Sequence, residues 1–370
     1  MVDGPQRERL KRFRSLMERE ELDAFLVAVP ENRHYLSGYK AEDLLLAESS
    51  GYLLISGSRQ FLLTDFRYEE AAKAEAPNFE ILIYSVGFGQ VLPDLFSTLS
   101  VNRVGFEKEF LTFQRFQQMS EALQSARPSA ELIPSEDLAQ ELRTIKDETE
   151  IQRIKASLAL TERVLESVWD GLAVGKQERM VAWDIERSIR EGGGEAVSFP
   201  PIVASGPNAA LPHAEPTDRE IGIGESVIVD MGSKLNAYCS DMTRTWVAGE
   251  PEPRVKEIYR IVREAQLAAQ EAIRAGRDSV EVDAVARGII ADAGYGSQFG
   301  HGLGHGVGLA VHEKPGLRRQ GPTVLEENMV VTIEPGIYLP GVGGVRLENM
   351  VRITKNGCEV LNGAHLFYDW

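Results

Sequence analysis

The sequence contains only two cysteines, Cys239 and Cys358, so no disulfide framework is expected and a reducing compartment is favoured. It also lacks any apolar run approaching the ~18 residues that a membrane-spanning helix requires. The amino-terminal segment has too many charged residues for a signal peptide, which needs an apolar stretch. We therefore expect a cytoplasmic protein that does not bind membranes.

Acidic residues outnumber basic residues in the sequence. The 370 residues include 40 Lys and Arg against 56 Asp and Glu, which gives a formal net charge of −16. Nucleic-acid binding is not expected, because it requires a basic surface that neutralises phosphates. The acidic balance aids solubility and is compatible with a cationic peptide amino terminus. Hydrophobic residues make up 43% of the chain, enough for sizeable cores, and the length favours two domains.

The first third of the chain alternates short strand and helix patterns. Strands are predicted at 23–29, 52–55, 61–63, 79–84 and 103–106, and a helix at 113–123. The segment 56–59, Ser-Gly-Ser-Arg, predicts a hairpin between the second and third of these strands. These patterns indicate a non-catalytic α/β domain over residues 1–133, with a boundary near Pro134.

The remaining segment, 134–370, predicts long helices followed by strand-rich segments. Asp147 is the expected N-cap of the first helix, and further helices are predicted at 178–190, 252–275 and 279–293. Strand-rich segments are predicted at 221–247 and 324–353. Two helix-then-strand halves suggest a pseudo-symmetric α+β domain, although no sequence repeat is evident.

Four of the six histidines lie in segments rich in glycine or proline. His301, His305 and His312 fall within twelve residues, around the motif GHGLGHG, and His213 lies beside Pro212. The glycines disfavour a helix and allow the backbone to pass close to another group. The motif is neither the helical HExxH zinc signature nor a phosphate-binding loop.

Acidic residues interrupt or follow apolar strand patterns at four positions: Asp230, Asp241, Glu334 and Glu348. A hairpin between Asp230 and Asp241 would set these two side by side. A buried carboxylate is costly unless it is paired or metal-bound. A salt bridge or a cap explains any one of them, but four acids beside a histidine cluster favour two divalent ions, whose charge they balance. Such a ligand set suits Mn²⁺, with Co²⁺ or Zn²⁺ as alternatives.

The motifs VDMG, YCSDMTRT, GHGLGHGVGLAVHE, TIEPGIY and GGVRLEN follow one another in the order typical of one family. The sequence resembles the pita-bread metallopeptidases along essentially the whole chain, and within them the aminopeptidase P and prolidase group, which cleaves Xaa-Pro bonds. The resemblance implies a creatinase-like N-terminal domain before a pita-bread catalytic domain. We also expect a homodimer.

The resemblance further implies a role for individual residues. Five metal ligands are implied: Asp230, Asp241, His305, Glu334 and Glu348. Asp241 and Glu348 are expected to bridge the two ions, and Glu334 to carry a proton to the leaving nitrogen. The other implied residues surround the substrate: His213 and His312 as catalytic histidines, and His301, Arg346 and Tyr338 as substrate-site or supporting groups. Thr243 is expected to orient toward the metals.

One departure affects the expected substrate. Many dipeptidases of this group carry an arginine where this chain has Gly316, with Arg318 and Arg319 following it. This difference favours an aminopeptidase that releases the residue before a proline from longer peptides, with an Xaa-Pro dipeptidase as the alternative. A metal-dependent hydrolase of a small non-peptide amide is a further alternative. The complete ligand set disfavours a metal-free creatinase-like hydrolase and a non-catalytic binding module.

Overall fold

A computed structural model describes residues 4–43, 45 and 48–370. The chain divides into two compact units, of which the first ends at Arg143 and the second runs from Thr144 to Trp370. The boundary proposed from the sequence, between residues 133 and 134, falls inside a strand of the first unit. Among the described residues, no helix combines the length and the apolar character needed to span a membrane.

The N-terminal unit is an α/β structure, as the sequence predicts. Its helices are α1 (Pro5–Arg19), α2 (Pro30–Ser37), α3 (Glu69–Glu75), α4 (Leu92–Leu99), α5 (Phe113–Ala126) and α6 (Leu138–Thr144). Its strands are β1 (Ala24–Val27), β2 (Tyr52–Ser56), β3 (Gln60–Thr64), β4 (Glu80–Ile83), β5 (Arg103–Glu107) and β6 (Glu131–Ser135). The sheet order is β4-β3-β2-β1-β5-β6, and β2 and β3 form the predicted antiparallel hairpin.

Each half of the C-terminal unit begins with a pair of helices. The first pair is α7 (Glu148–Gly171) with α8 (Glu178–Glu191), and the second is α9 (Pro253–Ala272) with α10 (Ser279–Asp292). Asp147 caps α7 through a capping box with Glu150, as the sequence predicts. The strands of the first half are β7 (Ala196–Val197), β8 (Ile202–Ser205), β9 (Ser226–Met231), β10 (Ser233–Leu235), β11 (Tyr238–Cys239) and β12 (Met242–Val247). Those of the second half are β13 (Gly304–Gly306), β14 (Glu313–Leu317), β15 (Val330–Ile333), β16 (Gly336–Leu339), β17 (Gly343–Arg346), β18 (Asn349–Ile353) and β19 (Cys358–Val360).

The two halves repeat one arrangement. Strands β8, β9 and β12 pair antiparallel with β9 in the centre, and β13, β15 and β18 pair in the same way around β15. In each half a glycine with positive φ follows the first helix: Gly175 donates its N–H to the carbonyl of Ile221, and Gly276 donates to that of Leu325. The pseudo-symmetry inferred from the order of the elements is therefore confirmed.

A hydrophobic core supports the second half of the C-terminal unit. Ile258 and Val262 of α9, Ile290 of α10, and Val331 and Ile333 of β15 are all fully buried in it. Burying a side chain of this size stabilises the fold by about 1.5–3 kcal/mol. The end of β15, next to Glu334, is thus held on a rigid base.

Candidate metal centre

Strands β9 and β12 bring Asp230 and Asp241 to one place. Asp230 lies near the end of β9, opposite Thr243 of β12, and Asp241 precedes β12 by one residue. Because side chains alternate along a strand, Asp241 and Thr243 point to the same side. Both aspartates are buried, with exposed fractions of 8% and 4%. This is the side-by-side placement that the hairpin prediction requires.

His305 and Glu334 approach this pair from the second half of the unit. The Nε2 atom of His305 lies 3.2 Å from Glu334 Oε1 and 3.5 Å from Asp241 Oδ2. Its Nδ1 lies 3.1 Å from the carbonyl oxygen of Gly306, which can only accept a hydrogen bond. Nδ1 therefore carries the proton, and Nε2 is directed at the carboxylates, the arrangement usual for a metal-binding histidine.

A close contact between strands sets the position of His305. A Cβ atom at Gly304 would lie 2.0 Å from the carbonyl oxygen of Thr332, so only glycine permits this approach. The hydroxyl of Thr332 accepts from the backbone N–H of His305 (3.0 Å) and donates to Glu334 Oε1 (3.1 Å). Sequence reasoning did not identify Thr332, because the contact joins strands that are distant along the chain.

Glu348 completes the carboxylate group and shares a hydrogen-bond partner with Arg346. The hydroxyl of Thr243 donates to Glu348 Oε2 (2.7 Å) and accepts from Arg346 Nε (3.2 Å). Ligand atoms of Asp241, His305 and Glu348 all lie within 4.8 Å of one another, and among the described residues they form the one such group suited to a metal ion.

Arg346 extends the network toward the other predicted residues. Its Nη2 donates to Asp230 Oδ2 over 2.5 Å, and its Nη1 donates to the hydroxyl of Tyr338 (2.9 Å) and to the carbonyl oxygen of Pro212 (3.1 Å). The Tyr338 hydroxyl also lies 2.9 Å from Nε2 of His301. The Pro212 carbonyl is another contact that the sequence does not reveal, since a backbone oxygen has no side-chain signature.

The two other histidines of the predicted site, His213 and His312, lie at the edge of the group with exposed side chains. The rings of His305 and His312 meet edge to face with their centroids 4.4 Å apart. Partial burial lowers the pKa of His312, and the nearby His305 and His213 lower it further. The structure therefore brings the predicted metal-binding and substrate-binding residues together on one side of the C-terminal unit.

The carboxylates of the site place several negative charges close together in a small volume. Burial, followed by the neighbouring carboxylates, raises the pKa of Asp241 and of Glu348 well above the ordinary values. Burial alone would raise the pKa of Glu334 as well, but His305 outweighs it and lowers the pKa to about 2. Burial likewise opposes the charge on His305, yet Glu334 and Glu348 raise its pKa to about 9.

The donor set fits metal ions. Asp230 Oδ1 and Glu348 Oε1 are buried and have no hydrogen-bond partner among the described residues, which is costly for a carboxylate. Divalent cations would satisfy both oxygens and remove the repulsion that raises the pKa values of Asp241 and Glu348. Four carboxylates and one imidazole are ligand types that Mn²⁺, Co²⁺ and Zn²⁺ accept.

Comparison with known proteins gives matches along most of the chain. Residues 152–355 match the model of metallopeptidase family M24, and residues 9–145 match the creatinase/prolidase N-terminal domain. An Xaa-Pro dipeptidase of Pyrococcus horikoshii is 37% identical over 355 residues, covering 96% of this chain and 96% of the relative.

Solved structures agree with these matches. An Xaa-Pro dipeptidase from Bacillus anthracis superposes with a TM-score of 0.91 at 37% identity, covering 97% of this chain and 98% of the other. An X-Pro aminopeptidase from Thermotoga maritima superposes with a TM-score of 0.83 at 36% identity, covering 94% of this chain and 98% of the other. The expected fold, a creatinase-like domain before a pita-bread catalytic domain, is thereby confirmed. The chain belongs to metallopeptidase family M24.

Proposed function

We propose that this protein is an Xaa-Pro dipeptidase that binds two divalent metal ions through Asp230, Asp241, His305, Glu334 and Glu348. The observation that carries the proposal is the meeting of these residues around Asp241, His305 and Glu348, with unsatisfied buried oxygens on Asp230 and Glu348. Asp241 and Glu348 are the proposed bridging ligands, and Mn²⁺ is the metal we favour. When bound, such a pair of ions activates water and polarises the scissile carbonyl.

The side chains around the ions have separate tasks in hydrolysis. Glu334, oriented by the Thr332 hydroxyl, takes a proton from the attacking water and delivers it to the prolyl nitrogen as the peptide bond breaks. His312 donates to the developing oxyanion, and His213 binds the substrate. Arg346 orients Asp230, and the Tyr338 hydroxyl joins Arg346 to His301.

The proposed dipeptidase differs from the aminopeptidase that Gly316 favours on sequence alone. Relatives named as Xaa-Pro dipeptidases or prolidases favour the dipeptidase alternative. The position of the Arg318 side chain explains why the absence of an arginine at residue 316 is misleading. A Cβ atom there would lie 3.2 Å from Nε of Arg318, so the Arg318 side chain occupies the space above residue 316. The position of an arginine along the sequence is thus a poor guide to where its guanidinium lies.

A basic cavity of about 510 Å³ supports the same choice. Its lining includes Arg287, Arg318, Arg319 and His301. Arg287 forms an ion pair with Asp283 over 2.7 Å, whereas Arg318 and Arg319 have no acidic partner among the described residues. We propose that Arg318 recognises the carboxylate of a dipeptide substrate, because a guanidinium matches a carboxylate in charge and geometry.

The test compares Ala-Pro with its amide, Ala-Pro-NH₂, and with the tripeptide Ala-Pro-Ala, using Mn²⁺-loaded protein. A hydrogen bond to a charged group contributes ~1.5–3 kcal/mol, so kcat/KM for the dipeptide should exceed that for the amide by about 10- to 100-fold. Arg318→Met should abolish this preference, with Arg319→Met as the control. Equal turnover of acid and amide, or preferred cleavage of the tripeptide, would favour the aminopeptidase instead.

A further inference from the structure

Glu178 is a buried carboxylate with no part in the proposed hydrolysis. It is the first residue of α8 and its exposed fraction is 0%. Its Oε1 accepts from the N–H and the hydroxyl of Ser205, at 2.7 Å each. Its Oε2 accepts from the N–H (3.1 Å) and the hydroxyl (2.6 Å) of Thr217, and Asn208 Nδ2 lies within 3.2 Å of both oxygens.

These donors lie toward the two ends of one segment, residues 205–217, which we term the histidine loop because it contains His213. Ser205 and Asn208 belong to its beginning, and Thr217 is its end. A single carboxylate therefore ties both ends of the loop to α8. Hydrogen bonds from several donors offset the cost of burying this carboxylate.

The opposite side of the histidine loop packs on the metal centre. A Cβ atom at Gly344 of β17 would lie 2.0 Å from the carbonyl oxygen of Ala209, so loop and strand pack directly against each other there. The carbonyl oxygen of Pro212 accepts from Arg346, which in turn holds Asp230. His213 follows directly after this contact and is itself exposed. Its backbone is held, while its side chain is free to meet a substrate.

We infer that Glu178 is a positioning residue, which fixes the histidine loop and thereby holds His213 in the orientation that substrate binding requires. The inference rests on the proposed function for the role of His213. It assigns to Glu178 no contact with substrate or metal, so its loss should act on the same step as the loss of His213 and leave the metal ligands intact.

Glu178→Gln tests the inference, because the amide has the same shape but presents an NH₂ group where only donors converge. Four Mn²⁺-loaded proteins are compared: the unchanged chain, Glu178→Gln, His213→Ala and the double variant. We expect Glu178→Gln to lower kcat/KM by about 10- to 100-fold with metal content unchanged. Because both changes act through His213, the double variant should be no less active than His213→Ala alone. Glu191→Gln, at the exposed end of α8, is the matched control and should have normal activity.

Hydrogen exchange in the 205–217 segment supplies a second readout, since the amides of Ser205 and Thr217 donate directly to Glu178. Glu178→Gln should speed their exchange. Additive losses in the double variant, or normal kcat/KM in Glu178→Gln, would overturn the inference. Full activity in His213→Ala would refute the role of His213 in the proposed function. Hydrogen exchange in Glu178→Gln then decides alone: unchanged exchange of the loop amides overturns the positioning role, and faster exchange supports it. Should Glu178→Gln fail to fold, Thr217→Val with Thr217→Ser as its rescue replaces it in the same comparison.

Discussion

Replacing Thr243 by valine tests how strongly the hydrogen bonds behind the carboxylates affect metal binding. Thr243 is fully buried, and its hydroxyl joins Glu348 Oε2 (2.7 Å) to Arg346 Nε (3.2 Å). Valine has nearly the same shape but can make neither bond. A hydrogen bond to a charged group contributes ~1.5–3 kcal/mol. Removing a group that orients a metal ligand typically lowers metal affinity by about 10- to 100-fold. We expect a loss of affinity in that range.

The assay is a calorimetric titration of the metal-free protein with Mn²⁺, with kcat/KM and Tm measured on the same samples. Thr243→Ser retains the hydroxyl and should restore the affinity. Thr245→Val is a second control: Thr245 is also buried on β12, but among the described residues its hydroxyl bonds only to the backbone of Arg346. It should lower Tm with little change in affinity. If Thr243→Val binds Mn²⁺ as tightly as Thr243→Ser, the hydrogen bond to Glu348 has no role in holding the metals.

Three further predictions follow from the site. Asp241→Ala and Glu348→Ala should each abolish hydrolysis and reduce bound metal, and normal turnover in either would remove that residue from the ligand set. His312→Ala should lower kcat by about 10²–10³ with metal content intact, and unchanged kcat would leave oxyanion stabilisation to the metals. Because burial and neighbouring carboxylates raise the pKa of Asp241 and of Glu348, the metal-free protein should lose stability as pH rises through these raised values. Mn²⁺ binding should then release protons, and the affinity should increase with pH. Calorimetry in buffers of different ionisation enthalpy would detect the released protons. A pH-independent affinity would argue against the metal site.

Local patterns predicted the secondary structure where neighbours in sequence determine it. The β2–β3 hairpin and the Asp147 cap were both predicted correctly, because a turn and a cap depend on adjacent residues. Helix α1 was not predicted: its apolar face is narrow, with Leu10, Phe13 and Met17 buried among many charged residues.

Errors arose where distant segments decide the outcome. The sequence predicts that the third helix of the C-terminal unit runs to residue 275, but α9 ends at Ala272. The N–H groups of Ala275 and Gly276 instead donate to the carbonyls of Thr354 and Leu325. The contacts of Thr332 and Pro212 in the metal centre are equally long-range, so no local pattern reveals them. The acids were recognisable because an acidic residue in an apolar strand is unusual on its own.

The most direct test of the account measures bound metal and turnover on the same protein. The chain is stripped of metal, reconstituted with Mn²⁺, freed of excess ion, and then analysed for metal while hydrolysis of Ala-Pro is assayed. A two-metal site predicts about two ions per chain, no turnover in the stripped protein, and recovery of turnover with the ions. Asp241→Ala, treated identically, should retain less metal and remain inactive. Full turnover in protein that binds no metal would contradict the account.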